Sequence, residues 1–271
     1  MSLPSTVPRL RFDPEAVVTT AFAQKGMQSL LAELRCASDA YLVGGAVRDV
    51  IRGLVPQDLD LLICNNDERT HQVLAKFGVA KRNRHLNWRY YIGSRDHVDV
   101  IEPQFFYRRF NHACEVLRYF DASVNAIGIN LRTSEVLDPL DGLHHLHDGH
   151  VWLPPARWQC MNDFESVHLT LRLTRLLERT ELRVLNPQAA LMHLAKYDTV
   201  PWDDLARLNG VTRAAGRQRF LTSMCNRRTV PTPHVDDAAH RARGGTWECL
   251  DWLSTGLITE SAHAEIHRFL H

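Results

Sequence analysis

From about Tyr41 to Leu153, short runs of apolar, β-branched and aromatic residues alternate with turn residues, and from about Asn162 onward apolar positions recur at helical spacing. The first pattern predicts strands at about Ala40–Val43, Leu59–Ile63, Arg89–Ile92, Val98–Ile101, Val124–Leu131 and Glu135–Leu137. A helix over Gly45–Ile51 separates the first two strands, and another, opened by Asn65-Asn66-Asp67-Glu68, reaches about Phe77. Ahead of them, Asp13-Pro14 starts a helical segment to about Arg35, with an acidic N-cap and proline at the first helical position. The reading is therefore α+β: a helical segment (1–39), a head with a mixed β-sheet flanked by helices (40–155) and an all-α region (156–271). The joint falls at Leu153-Pro154-Pro155-Ala156, where two prolines forbid continuous helix or central strand.

With 271 residues the chain is large enough for one big domain or two ordinary ones, and either can bury a core. Hydrophobic residues at 45% and charged residues at 23% exclude disordered, collagenous and coiled-coil classes. No apolar run approaches the roughly 18 residues of a membrane span. Met1 to Arg11 carries no apolar stretch of the signal-peptide kind, so a soluble cytoplasmic protein is expected. The 32 basic and 31 acidic residues leave a net charge of +1, so any nucleic-acid contact must come from a local basic face. Six cysteines without a C-x-x-C pair read as reduced, buried thiols rather than a zinc site.

Candidate chemistry concentrates in Tyr41-Leu42-Val43-Gly44-Gly45-Ala46-Val47-Arg48-Asp49 and in Gln57-Asp58-Leu59-Asp60-Leu61-Leu62-Ile63. An apolar strand that runs into a glycine pair opening a helix exposes backbone N–H groups able to cradle phosphate, although a tight turn with no ligand has the same pattern. Asp58 and Asp60 alternate with Leu59 and Leu61, which places both carboxylates on one strand face about 7 Å apart. Such a pair repels itself unless a cation intervenes, and Mg2+ (or Mn2+) suits carboxylate oxygens; the alternative is a solvated strand edge. Asp99, alternating with Val98 and Val100, is the expected third acid, and alternation puts its competitor Glu102 on the opposite face. Three convergent acids beside a phosphate-binding turn are what metal-assisted phosphoryl or nucleotidyl transfer needs.

These residues resemble the signature of the class II CCA-adding enzymes and bacterial poly(A) polymerases, within the polymerase-β-like nucleotidyltransferase superfamily. Asp121-Ala122-Ser123-Val124-Asn125-Ala126 is similar to the second half of the family's Arg-Arg-Asp-Phe-Thr-x-Asn-Ala motif. Glu135-Val136-Leu137-Asp138-Pro139-Leu140-Asp141-Gly142-Leu143 is similar to its strand, Asp-Pro turn and Gly-Leu helix, and Leu171-Arg172-Leu173-Thr174-Arg175 to its neck segment. The resemblance implies a nucleotidyltransferase head with Asp58 and Asp60 holding catalytic metals and Asp99 as third acid. It further implies Gly44 and Gly45 at the nucleotide's phosphates, Arg48 in the nucleotide-binding set at the end of the glycine motif, Asp121 and Asn125 lining the nucleotide site, and Arg172 and Arg175 reaching it. A salt bridge with Asp49 is the alternative role for Arg48.

The chain departs from the family at two places. Tyr119-Phe120 stand where Arg-Arg precedes the motif's aspartate, and Glu165-Ser166-Val167-His168-Leu169 stand where Glu-Asp-x-x-Arg selects the incoming base. Ser166 and Leu169 cannot form a charged, bidentate hydrogen-bond pattern, so ordered C-C-A addition is not expected. Lys81-Arg82-Asn83-Arg84-His85 beside Trp88 and Arg89 reads as a basic loop for an RNA backbone or a triphosphate, or as a merely solvated loop. Arg172, Arg175, Arg179 and Arg183 predict a basic helix stripe, His144, His145, His147 and His150 a polar loop, and the tryptophans packing anchors. The expected activity is transfer of a nucleoside monophosphate from an NTP to an acceptor hydroxyl, with a tRNA-like RNA 3′ end as favoured acceptor. The alternatives are nucleotidylation of a protein or small molecule, or a non-catalytic nucleotide- or RNA-binding module.

Overall fold

The computed structural model describes residues 12–63, 67–83, 87–93, 96–102, 110, 112–159 and 162–225. In chain order it has α1 (Pro14–Gln24), α2 (Gln28–Ala37), β1 (Ala40–Val43), α3 (Gly45–Ile51), β2 (Leu59–Ile63), α4 (Glu68–Phe77), β3 (Gly78–Arg82), β4 (Trp88–Ile92) and β5 (Asp96–Ile101). There follow α5 (Ala113–Leu117), β6 (Gly128–Asn130), β7 (Val136–Leu137), α6 (Gly142–His147), β8 (His150–Val151) and α7 (Pro155–Gln159). The rest comprises α8 (Asp163–Thr180), β9 (Arg183–Val184), α9 (Gln188–Leu191), α10 (Trp202–Asn209) and α11 (Arg213–Cys225). Two compact units divide these elements: residues up to Trp158 with Thr180–Leu185, and Gln159–Arg179 with Asn186 onward.

The first unit is built on a seven-stranded mixed sheet in the order β3-β4-β5-β2-β1-β6-β7. Only β2 and β5 run parallel; the other neighbours are antiparallel. One sheet face carries Leu42, Leu59, Leu61, Val98 and Val100, all fully buried. Burying several branched aliphatic side chains, each worth about 1.5–3 kcal/mol, fixes the register, because a one-residue slip would turn them outward. On the other face, Leu62 and Val43 join Ala113, Val116, Leu117 and Ala126 in a cluster against α5. That face is thus apolar at one end and polar at the other.

Several elements differ from the sequence expectation. The helix expected over 13–35 is two helices, because Gly26 takes a left-handed φ of 66° and the chain restarts after Met27. Asp13 does cap α1, accepting the Ala16 N–H at 3.2 Å. The strand expected over 124–131 begins as a 3-10 turn (Ser123–Asn125) before β6, since Ser123 exchanges hydrogen bonds with Trp152 at 2.8 and 3.0 Å. Strand β3, unforeseen, makes Lys81 and Arg82 edge-strand residues rather than loop residues. The units divide after Trp158 rather than at Pro154-Pro155: Pro155 opens α7, and the Trp158 indole donates to the Asp121 carbonyl at 2.8 Å. Arg183 lies in β9, paired with β8, so it does not extend the stripe on α8. Cys36 is exposed and Cys114 half-buried, both free, so the expectation of buried thiols fails at Cys36. Among the described residues no helix is long and apolar enough to cross a membrane.

Gly142 is where the chain tolerates no side chain: a Cβ there would lie 2.3 Å from the Ser123 carbonyl oxygen, a backbone atom. Its N–H, with that of Leu143, is held by the Asp138 carboxylate at 2.6 and 2.9 Å, which locks α6 against the Ser123 turn. Gly142→Ala is expected to destabilise the first unit by roughly 2–3 kcal/mol, lowering the melting temperature by about 5–10 °C. Thermal unfolding followed by circular dichroism checks this, and an unchanged midpoint would show that the turn relaxes freely.

Candidate functional site

Strand register assembles the site. Val43 of β1, Asp60 of β2, Asp99 of β5, Arg89 of β4 and Lys81 of β3 lie in one cross-strand row and so share a sheet face. Asp58, two residues before Asp60, is on the same face, with His97 Nε2 3.9 Å from its Oδ2 and a side chain 41% exposed. Farther along β2 the same face reaches buried Leu62. The carboxylates therefore stand where the apolar floor gives way to solvent.

The turn between β1 and α3 packs directly on this pair. Gly44 has φ 73° and ψ −145°, and a Cβ on it would come within 2.8 Å of Asp60 Oδ2. Only glycine allows both that backbone and that approach. The Gly44 N–H donates to the Asn125 carbonyl at 3.2 Å, which leaves the amides of the first turn of α3, beginning with Gly45, as the donors open to an anion. Beneath the turn, Arg48 is buried and donates to Asp49 Oδ1 from Nε and Nη2 at 2.9 and 2.7 Å and to Asn125 Oδ1 from Nη1 at 2.5 Å. Asn125 in turn donates to Asp121 Oδ1 at 2.8 Å. The salt-bridge alternative for Arg48 is thus realised in geometry, and Arg48, Asn125 and Asp121 form one network behind the glycine pair.

Asp99 shares the face of Asp60, yet both its oxygens are occupied. Arg89 donates from Nε to Oδ1 at 2.7 Å and from Nη2 to Oδ2 at 2.6 Å, a bidentate pair. Those bonds hold the Arg89 guanidinium even more firmly protonated than an ordinary arginine. Among the described residues no three acidic, imidazole or thiol side chains gather as a metal site, and Arg89 occupies both oxygens of the acid expected as the third. Two carboxylates still fit Mg2+, which commonly takes one or two from the protein and the rest of its octahedron from phosphates and water. Glu102 is on the opposite face, as alternation requires. It pairs with His71 and Arg82 at 3.2 Å each, while His71 also bonds the Tyr90 hydroxyl at 2.7 Å.

The basic segment expected over 81–85 is split by strand alternation. Lys81 is exposed on the carboxylate face, whereas Arg82 is on the other, its guanidinium 3.8 Å from the Trp88 ring centre; Arg84 lies outside the described residues. In the second unit Arg172 and Arg175 are exposed on α8, with Arg175 donating to Asn209 at 2.7 Å, and Arg179 is half-buried on the same helix. Ser166 is buried there, its hydroxyl bonded to the Asn162 carbonyl at 2.8 Å and to Lys196 at 3.3 Å, and Leu169 is buried as well. His144 and His147 both engage Asp148, at 3.3 and 2.9 Å. The residue that sequence reasoning missed is Arg89 as the partner of Asp99. The antiparallel pairing of β4 with β5, which no local pattern announced, sets them opposite each other.

Residues 40–152 match the family model of the poly(A) polymerase head domain. The A-adding tRNA nucleotidyltransferase of Halalkalibacterium halodurans is 28% identical over 140 residues, covering 46% of this chain and 32% of that protein. Among solved structures, the Thermotoga maritima CCA-adding enzyme complexed with tRNA is similar at a TM-score of 0.59 and 15% identity, over 96% of this chain and 66% of that one. The Bacillus stearothermophilus CCA-adding enzyme in complex with CTP gives a TM-score of 0.54 at 18% identity, over 74% of this chain and 48% of that one. These likenesses show a shared fold. The chain spans about a third of the length of the curated relative it matches.

Proposed function

We propose, since the chain belongs through its poly(A) polymerase head domain (residues 40–152) to the family of class II CCA-adding enzymes and poly(A) polymerases, that it is a nucleotidyltransferase acting on an RNA 3′ end. The observation that carries this reading is the seat of Asp60, beside Asp99 on the polar sheet face and against the Gly44 turn. The reaction joins the acceptor's 3′ oxygen to the α-phosphorus of an NTP, breaks the bond to the β-phosphate and releases pyrophosphate, the hydroxyl proton passing to solvent. Asp58 and Asp60 would hold Mg2+ (or Mn2+), which when bound neutralises charge on the reacting phosphates and activates the hydroxyl.

The protein's own groups bind and orient. Amides at the start of α3, from Gly45 onward, donate to the phosphates, while Gly44 lets the turn lie against Asp60. Arg48 fixes Asn125, and through it Asp121, as a rigid wall for the nucleotide. Lys81, Arg82 and Arg84 of the first unit offer cations to RNA phosphates, as do Arg172, Arg175 and Arg179 of the second. A tRNA-like acceptor and a cytoplasmic place of action follow from the same reading.

Base choice is proposed to lack C-C-A order. Ser166 spends its hydroxyl on the Asn162 carbonyl and Lys196, and Leu169 has no polar group to offer. One type of nucleotide, or a weakly discriminated set, should be added, since these side chains cannot separate C and A from G and U. Sequencing the 3′ ends of tRNA transcripts lacking C-C-A, after incubation with four NTPs and Mg2+, tests acceptor and order together. Faithful C-C-A ends would overturn the reading of Ser166 and Leu169. Absence of any extension would move the acceptor to a protein or small molecule if label is transferred there, and to a binding module if it is not.

A further inference from the structure

The polar sheet face carries a graded charge pattern from β2 to its edge. Asp58 and Asp60 come first, the Asp99–Arg89 pair next, and exposed Lys81 last, with neighbouring positions of the row one strand spacing, about 4.8 Å, apart. Asp99 has a side chain only 11% exposed, and both of its oxygens accept from Arg89. To serve as a metal ligand it would have to surrender a bidentate, largely buried pairing and leave a guanidinium beside the incoming cation. Arg89 is differently placed. Its side chain is 29% exposed, two of its five N–H donors make the pair with Asp99 and another engages Tyr91, so the fork retains donors beyond those partners.

A bound NTP brings about four negative charges to a face that already has two carboxylates. An unpaired carboxylate at position 99 would add repulsion where the polyphosphate must lie, whereas the closed pair is neutral and still presents guanidinium donors in a fixed plane. Lys81 extends the positive side of the gradient. We propose that Asp99 is a positioning residue that orients Arg89, and that Arg89 binds the β- or γ-phosphate of the NTP.

The inference rests on the proposed nucleotidyltransferase reading, and equilibrium binding separates the two. Calorimetric titration of the full chain with α,β-methylene-ATP and Mg2+ reports affinity without turnover, and a parallel Mg2+ titration reports the metal. Arg89→Met should weaken the analogue by roughly tenfold or more, and Arg89→Lys by less. Asp99→Asn should weaken it severalfold in the unaltered chain but add nothing once Arg89 is methionine, with the Mg2+ requirement unchanged throughout. Because Arg89→Met alone leaves a buried carboxylate unpaired, the double variant Arg89→Met with Asp99→Asn is the decisive one. It buries no lone charge and should show the full loss. If Asp99 were instead a metal ligand, Arg89→Met would free it and tighten Mg2+, and Asp99→Asn would raise the Mg2+ requirement; that pattern overturns the inference. Equal analogue binding by the original chain and the double variant also overturns it, while leaving the nucleotidyltransferase reading intact. An original chain that binds no analogue defeats both.

Discussion

Asp58→Ala and Asp60→Ala are each expected to reduce nucleotidyl transfer by on the order of a thousandfold or more, while the variants melt at or above the temperature of the original chain. Asp60 stands on the polar face of β2 and Asp58 just before that strand, where His97 Nε2 lies 3.9 Å from its Oδ2. Two like charges without a cation repel, so removing one member should relieve that repulsion in the metal-free fold even as it removes part of the proposed donor set for Mg2+. Single-turnover incorporation of labelled nucleotide measures the first effect, and thermal unfolding measures the second. Both variants retaining activity, with unchanged melting, would refute the assignment of Asp58 and Asp60. A large drop in melting temperature would instead make these residues structural.

The β1–turn–α3–β2 unit was legible because its signals are local. Glycine at a strand end and strict alternation at Asp58-Leu59-Asp60-Leu61 depend on residues within reach of one another, and the buried Leu59 and Leu61 enforce the register they imply. Alternation also separated Asp99 from Glu102 correctly, which the His71 and Arg82 contacts of Glu102 make explicit. What escaped was non-local. Gly78-Val79-Ala80-Lys81-Arg82 has weak strand propensity and exists as β3 because β4 offers an open edge to pair with. The same pairing sends Lys81 and Arg82 to opposite faces and so divides a cluster that looks continuous in sequence. The pairing of Asp99 with Arg89 went unforeseen for a related reason: the register between β4 and β5, not any local pattern, sets Arg89 against Asp99. At Ser123, hydrogen bonds to Trp152, 29 residues away, overrode the β-rich composition and wound the segment into a turn.

Gly44→Ala should cost at least about a hundredfold in transfer, whereas Gly45→Ala should stay within about tenfold. At Gly44 the new methyl would meet Asp60 Oδ2 at 2.8 Å, and the backbone φ of 73° with ψ −145° is a region that L side chains avoid at a cost of about 1–3 kcal/mol. The chain can relieve the clash only by turning the Asp60 carboxylate or by lifting the turn, and either moves the proposed metal donor relative to the amides proposed to bind phosphate. At Gly45 the methyl would meet the tip of Arg48 at 3.2 Å, a contact that a few tenths of an ångström removes. The damage at Gly44 should therefore appear as a raised Mg2+ concentration for half-maximal transfer together with a lower kcat, accompanied by a melting temperature only a few degrees below the original. Measuring kcat at saturating NTP across a Mg2+ series for both variants separates the possibilities. If Gly45→Ala were the more damaging of the two, the glycine pair would act through close approach of phosphate to the α3 amides, and the contact between Gly44 and Asp60 would be incidental.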